Sequence, residues 1–349
     1  MSSSALRLRT IMNDPSSLNM SKEWIALDNH TPPTLLIYGE SLTNAVLRSA
    51  NIATYNLVAY WKTVTKAPPP GFPAIESHFD ESPFLLQGTP HRTARKTLTP
   101  PYRSVEIELT HWLPTFTESF FTSYQTDQAT RPIPLALSYI DGVFKEILAR
   151  EAACSIQEIP LLPSGLFSFL PRLASVLEFD RRLEAVVQTL EAHLTKAGKS
   201  AHEAMALSTI VVMGQQPLLG AFVYGLLNPP PNGGTWEGES LMRQSSPVSV
   251  LGREVHTECN INGLQLAQGQ PLHICPFLSH MHSDAHAKHN ASSKSLAFGA
   301  GPHVCSGRKI TLEITNAFFK QWVRTKHIQL DTSGIKLTRD LLLVPQEKS

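Results

Sequence analysis

The sequence predicts a mainly α protein with a small β region, and three observations carry that reading. Segments 90–98, 105–122, 136–152, 178–197 and 201–227 place apolar side chains three to four residues apart, the spacing of a buried helix face. After Ser245 the pattern changes to short apolar runs at 248–255, 260–266 and 271–275, with turn residues at Asn262-Gly263 and Gln268-Gly269. Prolines punctuate the rest: KAPPPGFPA at 66–74, then Pro160, Pro163 and Pro171. NPPPNGG at 228–234 ends the longest helix, because proline cannot extend it.

In chain order, residues 1–30 read as an N-terminal extension and 31–349 as a single domain. Met1 to Pro15 is serine-rich and has no apolar core of the kind a signal peptide or anchor needs. Thr34 to Tyr38 (TLLIY), stopped by Gly39, reads as a strand, and Leu42, Ala45 and Val46 give Ser41 to Arg48 helical spacing. Near the other end, Ile310, Ile314, Ala317, Phe318 and Trp322 mark a last amphipathic helix.

Composition narrows the function classes. Lys+Arg 30 against Asp+Glu 29 leaves a net charge of +1, unlike the strongly basic footprint of a nucleic-acid binder. Cys154, Cys259, Cys275 and Cys305 form no paired framework, which suits a reducing compartment; the expectation is a cytoplasmic protein. No run of eighteen apolar residues occurs, so no membrane partner is expected.

The most informative stretch is Phe298-Gly299-Ala300-Gly301-Pro302-His303-Val304-Cys305-Ser306-Gly307. A lone cysteine at the end of a glycine-studded loop, leading into a helix, reads as a thiolate ligand of haem iron. Gly299 and Gly301 let the backbone turn tightly and lie against a flat macrocycle, while amides near Gly307 and Arg308 can face the sulfur. This segment resembles the cysteine-ligand loop of the cytochrome P-450 superfamily, in the soluble bacterial form with histidine two residues before cysteine. The resemblance implies one P-450-like domain, with haem b between the long central helix and the cysteine loop. Cys305 is then the axial metal ligand, and Phe298, Gly299 and Gly307 border the cofactor.

Further residues follow from the resemblance. His91 and Arg95, four apart on one helical face, correspond to the helix that supplies two donors to one haem propionate. Arg253 matches the strand arginine that meets the other, and His303 is the fourth donor. Glu239 and Arg243 form the Glu-x-x-Arg pair that locks the cysteine-side core, with no clear basic residue to complete it in the polar loop 279–295. That loop carries His280, His282, His286 and His289; the intervening serine, lysine and asparagine favour a solvated loop over a zinc site.

The long helix departs from the family. Met213-Gly214-Gln215-Gln216-Pro217 aligns with its oxygen-binding segment, but Gln216 stands at the acid position and Pro217 at the threonine position. Glutamine cannot titrate, and proline has neither hydroxyl nor N–H, so the usual proton relay is missing. Met213, Gly214, Gln216 and Pro217 remain the candidate catalytic positions. The leading expectation is a haem-thiolate monooxygenase acting on a small organic molecule of specialised metabolism, with unconventional proton delivery. Two alternatives stand beside it: an enzyme for peroxide use, oxidative coupling, desaturation or rearrangement, and a non-catalytic haem-binding protein. A ferredoxin-type donor is the expected redox partner, docking on Arg92, Lys96, Arg103, Arg308 and Lys309. Recognition residues are expected in segments 60–88 and 155–180.

Overall fold

The computed structural model describes residues 3–124, 129–152, 171–231, 233–285, 295–325 and 328–347. Its helices are α1 (Ser3–Asn13), α2 (Glu40–Arg48), α3 (Leu57–Thr65), α4 (Pro73–Glu81), α5 (Gly88–Ser123), α6 (Pro132–Ala152), α7 (Leu173–Lys196), α8 (Ala201–Leu227), α9 (Gly238–Ser245), α10 (Pro276–Ala285) and α11 (Arg308–Trp322). The strands are β1 (Trp24–Ala26), β2 (Leu35–Ile37), β3 (Ile52–Thr54), β4 (Leu251–Val255), β5 (Cys259–Ile261), β6 (Leu264–Leu266), β7 (Pro271–Ile274), β8 (Ile335–Arg339) and β9 (Leu343–Glu347).

The main core is helical. Leu109 and Phe121 of α5, Tyr139 and Phe144 of α6, Phe222 of α8 and Phe318 of α11 are all nearly inaccessible within one cluster. Their rings meet at favourable angles, Phe222 and Phe318 stacking with centroids 4.5 Å apart. Helix α8 runs through this core, started by a capping box in which Ser200 and Glu203 satisfy each other's amides. It is long and apolar enough to cross a membrane, but most of that apolar stretch is buried inside the molecule.

The larger sheet has the order β1-β2-β7-β4-β3; β2 and β7 are parallel and the other pairings antiparallel. In this register Arg253 stands between Thr54 on β3 and Leu272 on β7, which fixes its position near the sheet's interior. The β5–β6 hairpin turns at Asn262 and Gly263, both with positive φ, as the Asn-Gly pair predicts.

Three sequence expectations are amended. Segments 90–98 and 105–122 form one helix, α5, despite Pro100, Pro101 and Pro114 inside it. An internal proline costs about 3 kcal/mol, but α5 buries Leu98, Tyr102, Val105, Leu109, Trp112, Leu113 and Phe121 along a continuous face. Each such side chain contributes roughly 1.5–3 kcal/mol, so burial wins. The loop expected from Ser279 begins as α10, whose Leu278, Ser279 and His280 are buried. At the N-terminus, residues 3–13 form α1, which packs Leu8, Ile11 and Met12 against Leu36, Tyr38, Val250 and Cys275.

Candidate haem-thiolate site

Two short 3₁₀ turns, Leu296–Phe298 and Gly301–His303, bring the chain to Cys305 just before α11. The Cys305 amide donates to the Phe298 carbonyl at 2.8 Å, closing the loop. Gly299 and Gly301 have φ of +70° and +68°, where a side chain is strained. Gly301 also lies against α2, and a Cβ there would sit 2.5 Å from the Leu47 carbonyl oxygen. Cys305 lines a cavity of about 460 Å³. Its accessible surface lies along that cavity with protein on every side, so burial pushes the thiol's pKa up. The Gly307 amide and the charges of Arg95 and Arg308 work against that shift. Such donors are what a thiolate needs.

Beside the sulfur lies a cluster of donors that lacks acid partners. Arg95 donates to the Val304 carbonyl at 2.6 Å, tying α5 to the cysteine loop. The His91 and His303 rings are in contact, centroids 4.1 Å apart. His91 is buried, and its Nε2 has no partner. Arg253 is 6 % exposed and donates to the carbonyl of Gly252; burial lowers its pKa to about 10, so it stays charged at neutral pH. His303 is pushed down to about 4 by burial first, then by His91, Arg253 and Arg95. Among the described residues none of these four groups forms an ion pair. Buried cations are ordinarily paired, so an orphaned His91 nitrogen and two unpaired guanidiniums fit the carboxylates of an incoming haem. His303 is partly committed, with Nε2 3.3 Å from the Gln87 side-chain oxygen. Gln87 also donates to the Thr54 hydroxyl and so joins β3 to this rim. It escaped sequence reading, although it stands four residues before His91 on the same side of the chain. Tyr102, seven residues after Arg95, likewise reaches the cavity beside Cys305.

Met213, Gly214 and Pro217 line the same cavity, with Thr209, Ile210 and Leu218 on the same helical stripe. Gly214 admits the Phe144 ring, whose Cζ lies 2.9 Å from where a Cβ would be. Gln216 is buried but is not among the cavity-lining residues. One helical step of about 100° from Pro217 accounts for that. Pro217 stays inside α8 without ending it.

Glu239 and Arg243 both lie on α9 but pair elsewhere. Glu239 meets Arg308 at 3.0 Å and accepts from the Ser295 amide at 3.1 Å, whereas Arg243 meets Asp284 at 2.7 Å. Arg308, after the cysteine, thus supplies a basic partner that sequence reading sought before it. His280 adds a second tie: its Nδ1 lies 2.9 Å from the Arg243 carbonyl, and its Nε2 accepts from the Leu296 amide at 3.1 Å. It is a buried bridge, while His282 packs edge-on to Tyr38. His286, His289 and most of segment 155–180 lie outside the described residues. On the cysteine side Arg92, Lys96 and Arg103 are exposed, while Lys309 meets Glu106 at 3.5 Å.

No protein-family model and no curated protein matches this chain. Solved structures do. Cytochrome P-450 BioI, in complex with hexadec-9Z-enoic acid ligated acyl carrier protein, matches 97% of this chain and 98% of its own with a TM-score of 0.72 at 12% identity. The tirandamycin C-bound P-450 monooxygenase TamI matches 97% and 96% with a TM-score of 0.72 at 14% identity. A six-coordinated cytochrome P-450 from Thermus thermophilus matches 97% and 98% with a TM-score of 0.68 at 14% identity. The chain therefore has the cytochrome P-450 fold.

Proposed function

We propose that this chain is a haem-thiolate oxidoreductase that inserts oxygen into a small organic molecule. The observation that carries this is the cavity that places Cys305 in one wall and Met213, Gly214 and Pro217 in another, beside acid-free Arg95 and Arg253. Bound there, a haem would supply oxygen activation, which a thiolate ligand favours by donating electron density. The chain's residues supply the rest. Cys305 would hold the iron, with the Gly307 amide and Arg308 moderating its charge; His91, Arg95, Arg253 and His303 would hold the propionates, and Phe298 and Gly299 would border the ring. Met213, Gly214 and Pro217 shape the space over it.

Specialised metabolism is supported by the neighbours. TamI is bound to tirandamycin C, and a further neighbour at 16% identity, RauA, to a biosynthetic intermediate of aurachin RE. Pro217 in the cavity wall, with Gln216 turned away, favours a second reading in which peroxide use or oxidative coupling replaces donor-driven insertion. OxyC, a neighbour at 14% identity, is implicated in an oxidative C–C coupling. The electron donor for the first reading is a ferredoxin-type protein in the cytoplasm, docking on exposed Arg92, Lys96 and Arg103.

The test is optical. The reduced protein under carbon monoxide is expected to show the strongly red-shifted Soret band of thiolate ligation, and Cys305→Ser to lose it. Uptake of haem by Cys305→Ser with an unchanged spectrum overturns the proposal. Comparing hydrogen peroxide with an electron-donor system then separates the two readings.

A further inference from the structure

We infer that Thr209, backed by His78, is a remote hydrogen-bonding anchor that selects an uncharged, elongated substrate carrying a hydroxyl or N–H donor away from its site of oxidation. The inference rests on the proposed function and deepens it.

Along the stripe that α8 turns to the cavity, Thr209, Ile210, Met213, Gly214, Pro217 and Leu218, only Thr209 has a polar side chain. Its hydroxyl is 2.8 Å from the Met205 carbonyl and 3.3 Å from His78 Nε2. A carbonyl can only accept, so the Thr209 proton goes to Met205, and His78 Nε2–H must donate to Thr209 Oγ1. Oγ1 then has one lone pair left, and towards the cavity it is an acceptor alone. A bound molecule must meet it with a donor.

The environment of His78 supports this assignment. The ring is 3 % exposed, packs edge-on to Phe79, and burial pushes it down to about 4, so it is neutral over the physiological range. In the tautomer required here, Nδ1 carries a lone pair, and that atom is buried without a partner. An unsatisfied buried acceptor destabilises a fold. An apolar ring would fill this position without that penalty. The imidazole's one described polar contact is to Thr209, which fixes the direction of Oγ1.

Position excludes a relay role. Thr209 precedes Met213 by four residues and Pro217 by eight, about 6 and 12 Å along the helix axis. A hydroxyl so far from Pro217 cannot replace the missing threonine there, but it can hold the far end of a molecule whose other end is oxidised. Tyr55, Tyr60, Phe84 and Phe144 also line the cavity; its charged lining residues, Arg95 and Arg253, are those assigned to the haem, and among the described residues no Asp, Glu or Lys lines it. An apolar or unsaturated body without charge fits that wall.

The experiment uses holoprotein and isothermal titration calorimetry, with phenylpropanol, phenylhexanol and phenylnonanol, each with a terminal hydroxyl, and their methyl ethers as probes. At least one alcohol is expected to bind about tenfold more tightly than its ether. Thr209→Val should abolish that ratio while leaving the ether's affinity unchanged, and Thr209→Ser should restore it. His78→Phe should lower the ratio several-fold, because Oγ1 loses its fixed direction. If no alcohol is preferred, if no probe binds, or if Thr209→Val keeps the ratio, the anchor is wrong. The carbon monoxide spectrum, recorded on each variant, reports separately on thiolate ligation. A thiolate spectrum without the preference rejects the anchor alone, and a missing one rejects the parent reading.

Discussion

On one side of the cavity Cys305 is held by a closed backbone loop, by Gly301 against α2, and by ties from Glu239, Arg308 and His280. On the other side α8 presents Ile210, Met213, Gly214 and Pro217, none of which can titrate. The first wall is over-determined, since several independent contacts fix each atom near the sulfur. The second is open to choice, since little but shape and one hydroxyl constrains what lies against it. On the proposed function the contrast separates what holds a cofactor from what selects a substrate, and substitutions on the two walls should behave differently.

The largest effect is expected at Gly301. Alanine there must take φ of +68° and put its Cβ 2.5 Å from a backbone oxygen of α2 that cannot swing aside. A loss of about 3 kcal/mol or more is expected, read as a fall in unfolding midpoint and loss of haem uptake. Gly307→Ala is the control. Its Cβ would meet only the Tyr102 ring at 3.8 Å and the Cys305 sulfur at 4.0 Å, both ordinary contacts. Stability within about 1 kcal/mol is expected. Equal damage at both positions would show that the cysteine loop is not held by its contact with α2.

Arg253 should split two measurements that usually move together. Its buried charge has no acid partner among the described residues, so Arg253→Met is expected to raise the melting temperature of haem-free protein. On the proposed function the same change removes a propionate donor, so haem should dissociate at least tenfold faster into a competing apoprotein. A lower melting temperature without haem would mean that Arg253 supports the sheet itself.

How far such residues were legible from sequence follows the same division. The cysteine loop was readable because Gly299 and Gly301 take backbone conformations that other residues rarely adopt. Arg95 and Arg253 were singled out through the resemblance, and they lie on a helix and a strand as it implies. Glu239 was singled out, but not its partner: ion pairs depend on which helix ends meet, and α9 meets the start of α11. The helix α10 was read as loop because its polar letters hide a buried histidine that satisfies backbone groups from two other segments. His78 and Thr209 are 131 residues apart, and no local pattern could have joined them.

His280 makes the cysteine wall sensitive to acid. An unfolded histidine titrates near its ordinary value, and in the fold burial, then Arg243, pushes His280 down to about 4. Between pH 6.5 and 4 the unfolded chain binds the extra proton, so stability is greatest above that window and falls as pH drops through it. The contribution of this one group is about 3 kcal/mol across the window. Protonation of Nε2 also breaks its bond from the Leu296 amide, next to the cysteine loop. His280→Gln is expected to be less stable at pH 7, with a stability-against-pH slope between pH 6 and 5 shallower by one proton. An unchanged slope would place the ring in contact with solvent.

The smallest effect on activity is expected on the open wall, at Pro217. Threonine there would restore an amide to the Met213 carbonyl and place a hydroxyl in the cavity. The helix should gain up to about 3 kcal/mol, less whatever the surrounding packing already recovers. Catalysis should change little, within a few-fold, because the neighbouring residue, Gln216, cannot titrate and does not line the cavity. A hydroxyl alone cannot deliver protons without a group that resupplies them. Turnover with an electron-donor system, compared with turnover on hydrogen peroxide, checks this. A rise of a hundredfold with the donor system alone would show that one hydroxyl was all that α8 lacked. The open wall would then be a damaged relay, whereas an unchanged ratio of the two activities fits a wall that leaves proton delivery to the bound molecule.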